Sequence, residues 1–65
     1  MHDFDDKITW LKERLTEARE DLREFSAGQR QFRDGVDITD KLVARTRNDI
    51  QQFEILIAAY EAHNS

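Results

Sequence analysis

The stretch FDDKITWLKERLTEAREDLREF, Phe4 to Phe25, decides how this chain folds. Its apolar residues fall at Phe4, Ile8, Leu11, Leu15, Ala18, Leu22 and Phe25, in alternating steps of four and three. On a helix that spacing places every one of these side chains on one narrow stripe, a seam of the coiled-coil kind rather than the broad apolar face of a globular helix. Phe32 and Val36 keep the same register after polar Gln29, so helix 1 is expected over about residues 4–34. Gly28 then sits inside it, at a cost of roughly 1 kcal/mol against alanine. The alternative is that Ser26-Ala27-Gly28-Gln29 ends the helix. Asp3 is the expected N-cap, because its carboxylate can accept from free amides of the first turn, and Asp5 and Asp6 complement the positive end of the helix dipole.

A second stripe follows at Val43, Thr46, Ile50, Phe53, Ile57 and Tyr60, again in steps of three and four. It predicts helix 2 over about residues 39–62, with the connection at about 35–38. Thr39 is the expected N-cap, with Ile38 and Val43 stapled across it, and Asp37 is the alternative cap. Gly35 stands just past the expected end of helix 1, where a left-handed residue is wanted. So short a connection forces an antiparallel arrangement in which facing residue numbers sum to roughly 73.

The expected fold is therefore all-α: a two-helix, antiparallel, coiled-coil-like hairpin forming a single domain. Chains of 65 residues bury little of their surface and commonly need disulfides, metals or partner subunits. There is no cysteine, which excludes disulfides, thiolate nucleophiles and cysteine zinc sites, and suits a reducing compartment. The acidic start Met1-His2-Asp3-Phe4-Asp5-Asp6 lacks the cationic leader and apolar run of a secretory signal, so a cytoplasmic location is expected. The longest apolar run, Ile55 to Tyr60, is far below the roughly 20 residues that span a bilayer.

Pairing about a sum near 73 leaves Phe4 and Ile8 facing positions at or beyond the chain end. Trp10 lies off the seam of helix 1, and Ile55, Leu56, Ala58 and Ala59 lie off that of helix 2, making its C-terminal half apolar nearly all round. Phe4, Ile8, Trp10, Ile55, Leu56 and Ala59 are accordingly the expected oligomer interface, most simply joining two hairpins by a two-fold axis as a homodimeric four-helix bundle. The function this implies is an interaction or structural one, of the adaptor or regulatory-subunit type, with a second copy and a further protein as partners.

The alternative is an RNA-binding hairpin. Arg30, Arg33, Lys41, Arg45 and Arg47 gather toward the turn with Phe32 among them, which suits phosphates and a stacked base. Asp34, Asp37, Asp40 and Asp49 nearly cancel that charge, and a net charge of −4 disfavours general nucleic-acid binding. No enzyme activity and no cofactor are expected, because the polar residues lie on the outer faces of a thin hairpin without a site motif. His2 and His63 fall at the open end near acidic residues, but no HxxxH or ExxH spacing sets two metal ligands on one face. In architecture the chain resembles the small acidic helical hairpins that regulate plasmid copy number by binding paired RNA loops as four-helix-bundle dimers. No shared motif carries their RNA-binding residues onto this sequence. The Trp-x-Gly turn of one class of secreted hairpins and the proline-bearing turn of secretion-needle subunits are both missing, since Trp10 lies within helix 1 and there is no proline.

Overall fold

A computed structural model of the chain describes residues 3–64. Helix α1, Asp5–Ser26, and helix α2, Thr39–Asn64, pack along each other, and a two-stranded antiparallel ribbon, β1 Phe32–Arg33 with β2 Val36–Asp37, joins them. The result is a rod of 51 × 18 × 14 Å. Its radius of gyration, 14.9 Å, exceeds the roughly 11 Å of a compact domain of this length.

The apolar stripes of the two helices meet. Ile8, Leu11, Leu15 and Ala18 are buried from α1 and Ile57 from α2, and Ile50, Phe53 and Tyr60 pack against the cluster of Leu11, Leu15 and Ile57. Leu11 is only 2% exposed, a burial contributing roughly 1.5–3 kcal/mol. Toward the ribbon the seam thins: Leu22, Phe25, Val43 and Thr46 are half-buried.

Helix 1 does not continue to residue 34; it ends at Ser26. Gly28 adopts φ +105°, its N–H donates to the Phe25 carbonyl at 3.1 Å, and the Gln29 N–H donates to the Glu24 carbonyl at 3.1 Å. These are the two bonds of a Schellman motif, which satisfies the carbonyls left open at a helix end. Continuing the helix would have set Phe32 and Val36 on the stripe. Terminating it leaves them 63% and 61% exposed on the ribbon.

Gly35 is likewise not a helix-end glycine. Asp34 at φ 51° and Gly35 at φ 79° form the two-residue loop of the ribbon, in which Arg33 pairs with Val36 and Phe32 with Asp37. Two successive positive φ angles define the turn whose twist matches paired strands, and Asp-Gly is a favoured pair for it.

The pairing keeps the expected sum at the ion pairs Lys12–Glu61 and Arg19–Glu54 and departs from it at the open end. There the Phe4 ring lies tilted 4.9 Å from that of Tyr60 and edge-on to His63 at 6.1 Å, short of the facing numbers that a sum near 73 requires. Phe4 and Ile8 therefore do not overhang: Phe4 is half-buried and Ile8 is buried within the chain. The helix ends are capped differently from expectation too. Phe4, not Asp3, takes the N-cap position of α1 and makes no side-chain cap. Asn64 covers that end from across the hairpin, its Oδ1 accepting from the Phe4 N–H at 3.2 Å and its Nδ2 donating to Asp5 at 2.9 Å. At α2 Ile38 takes the N-cap position, its carbonyl accepting from the Leu42 N–H at 3.0 Å, so neither Thr39 nor Asp37 stands there; Asp37, one residue earlier, supplies the capping oxygen, its Oδ1 accepting from the Thr39 N–H at 2.9 Å.

Candidate interaction surface

Two ion pairs and two cation–ring contacts orient the rod's edges. Lys12 with Glu61 at 3.4 Å and Arg19 with Glu54 at 3.6 Å bridge the helices along one edge. Residues seven apart share a helix face, so Lys7 and Arg14 define the other edge of α1. There the Lys7 ammonium lies 5.8 Å from the Tyr60 ring and the Arg14 guanidinium 5.4 Å from the Trp10 ring. Leu56, one turn before Tyr60, belongs to this second edge.

Trp10 is 49% exposed, Leu56 40% and Ile55 54%. Trp10 and Leu56 stand on the same edge of the rod, and Leu56 adjoins exposed Ile55 and Ala59, which lie on the side of α2 facing away from α1. Of the six residues expected at an interface, these four present side chains to solvent. Phe4 is half engaged with Tyr60, and Ile8 is already covered by its own chain.

The outer faces of the two helices differ in charge. Opposite its buried stripe, α1 carries exposed Glu13, Glu17, Glu20 and Glu24 in steps of four and three. Opposite its own stripe, α2 carries exposed Asn48, Gln51, Gln52, Ile55, Ala58 and Ala59, with no charge among them. Between Asp49 and Glu61 the one charged residue is Glu54, and it is paired with Arg19. The first face is the usual solvated kind. The second is uncharged, amide toward Asn48 and apolar toward Ala59, and sequence reasoning reached only its apolar members because the amides read as solvated.

The residues of the basic group are all exposed. Arg30 is committed to Asp37, donating to Oδ2 from Nε at 3.0 Å and from a terminal nitrogen at 2.5 Å. Arg33 lies on the ribbon, and Lys41 and Arg45 share a face of α2 one turn apart. Arg47, two residues on, is turned roughly 200° from Arg45 at the helical 3.6 residues per turn.

Sequence reading missed the network at the ribbon's base. Thr39, 2% exposed, donates its hydroxyl to Asp37 Oδ1 at 2.5 Å and accepts from the Gln31 N–H at 2.8 Å. The Thr39 hydroxyl and amide, then Arg30, hold the Asp37 carboxyl down at about 2, and Asp37 in turn raises Arg30. These shifted groups close the connection between the helices. Gly28, Asp34-Gly35 and Thr39 were each visible in the sequence as turn or cap residues, but not their mutual bonding.

Among the described residues no group of three His, Cys, Asp or Glu side chains could hold a metal ion, and His2 lies outside them. No described helix is long and apolar enough to cross a membrane. Comparison with protein-family models, with curated proteins and with solved structures gives no match in any of the three.

Proposed function

We propose that this chain is a self-associating helical interaction or structural module, a cytoplasmic subunit of adaptor or regulatory type whose hairpins pair as a four-helix bundle. The observation that carries the reading is the patch of Trp10, Leu56, Ile55 and Ala59, contiguous and open to solvent in a chain with few buried apolar residues. A contiguous apolar patch on a small domain marks an interaction site more often than scattered apolar residues do.

Area supports the same reading. The chain exposes 5207 Å², whereas a globular monomer of 7.7 kDa exposes about 4,300 Å². The excess matches the roughly 800 Å² that each partner contributes to an ordinary specific interface. The RNA reading draws no comparable support, since Arg30 is engaged by Asp37 and Arg47 lies on another side of α2 from Arg45.

The test is thermal unfolding followed over a wide range of protein concentration, for the parent chain and for Ile55→Glu. A native state that associates gains stability by mass action, so the parent midpoint rises with concentration. Ile55→Glu lowers that midpoint and removes its concentration dependence while the helical signal at low temperature persists. A parent midpoint independent of concentration contradicts the proposal.

A further inference from the structure

We infer that the partner is a second copy of this chain docked through the outer face of α2, antiparallel, with the two-fold axis beside Ile55. The inference rests on the self-association proposed above and narrows its geometry: contact through the side of α2 facing away from α1 sets the helices in the order α1–α2–α2–α1, an open array in place of a closed four-helix bundle. Three observations select this contact.

Charge selects the face. The molecule carries a net charge of −4, and the outer face of α1 presents Glu13, Glu17, Glu20 and Glu24. Two copies meeting there would set like charges against like. The edge bridged by Lys12–Glu61 and Arg19–Glu54 is already occupied by ion pairs. The outer face of α2, Asn48 through Ala59, is the long uncharged surface that two acidic chains can bring together without repulsion.

Size selects the register. Ala58 and Ala59 lie one turn after Ile55, and Gln51 and Gln52 lie one turn before it. An antiparallel pair centred on Ile55 sets the two isoleucines against each other, with Gln52 of one copy opposite Ala59 of the second and Gln51 opposite Ala58. Large side chains then face small ones, as interdigitating layers require. The glutamine stems cover the alanines while their amides reach the rim. A parallel pair would instead stack alanine on alanine and glutamine on glutamine, leaving a void in one layer and crowding in the next.

Area sets the scale. The rod's surplus of exposed surface over a globular chain is of the size that one side of a stable dimer buries, and Leu56 on the adjoining edge of α2 extends the contact.

The chain contains no cysteine, so single cysteines report contacts without background. Gln52→Cys and Ala59→Cys chains are mixed and oxidised, each is oxidised alone, and Glu20→Cys on the acidic face of α1 serves as reference; sedimentation of every reduced chain gives its mass. The expected result is a disulfide-linked 52–59 species about tenfold or more above the Glu20→Cys background, as held partners raise the effective thiol concentration. A dimeric mass with 52–59 linkage no greater than that of Glu20→Cys, or with Gln52→Cys linking to itself in preference, overturns the antiparallel α2 interface and leaves self-association standing. A monomeric mass for all reduced chains, the parent included, overturns both.

Discussion

Asp37 Oδ1 accepts both the amide and the hydroxyl of Thr39, at 2.9 and 2.5 Å, while Oδ2 takes the Arg30 guanidinium. One carboxylate thus starts α2, fixes the buried threonine and ties the strand leading into the ribbon. Bonds from donors favour the charged form, which is why the carboxyl sits at about 2 rather than at its ordinary 3.8. A group held lower in the folded state stabilises it above the ordinary value, and that contribution disappears as pH falls through the folded value. Urea unfolding near pH 5 and near pH 2 measures it. The parent chain loses more stability between the two than Asp37→Asn does; equal losses would contradict the role given to this carboxylate.

Thr39→Val keeps the volume of the buried side chain and removes its hydroxyl. The Gln31 N–H and Asp37 then each lose a partner, at a cost of about 1–3 kcal/mol in urea unfolding. Thr39→Ser retains the hydroxyl and costs distinctly less. Equal effects from the two variants would mean that packing, and not the bonds, holds Thr39.

The stripe from Ile8 to Ala18 was legible in the sequence because four-and-three spacing has one reading on a helix, and those are the residues buried. The end of helix 1 was read too far along because Phe32 and Val36 happen to keep that spacing through a segment whose backbone is not helical. Two local signals compete with it: Gly28 as a helix-stop glycine, and Asp34-Gly35 as a hairpin pair with Phe32 and Val36 on either side. Reading them as turn chemistry shortens the helix. The bonds among Arg30, Asp37 and Thr39 depend on a register that no spacing rule supplies. The patch of Trp10, Ile55, Leu56 and Ala59 was legible because these residues lie off both stripes, and it is open in the folded chain.

Gly28→Ala tests the helix stop. A Cβ at Gly28 meets nothing within 4 Å, so the cost comes from the backbone alone at φ +105°. It is expected at roughly 1–2 kcal/mol, the penalty of a left-handed conformation for an L side chain. Gly35→Ala, also in open space at φ +79°, should cost a similar amount. Unfolding midpoints unchanged in both variants would contradict the turn geometry.

Asn64→Ala removes the bonds that cover the start of α1 from the last turn of α2. Its effect should resemble loss of an N-cap, about 0.5–2 kcal/mol, and amide exchange at Phe4 and its neighbours should quicken. Unchanged exchange there would show that the two helix ends are not held together by this side chain.

Another copy of the chain is proposed to cover the exposed outer surface of α2. Sedimentation equilibrium of the parent protein at micromolar to hundred-micromolar concentration measures this directly. A mass of twice 7.7 kDa is expected at the upper end, falling to 7.7 kDa in Ile55→Glu. A fully helical parent chain that stays at 7.7 kDa throughout the range would contradict it.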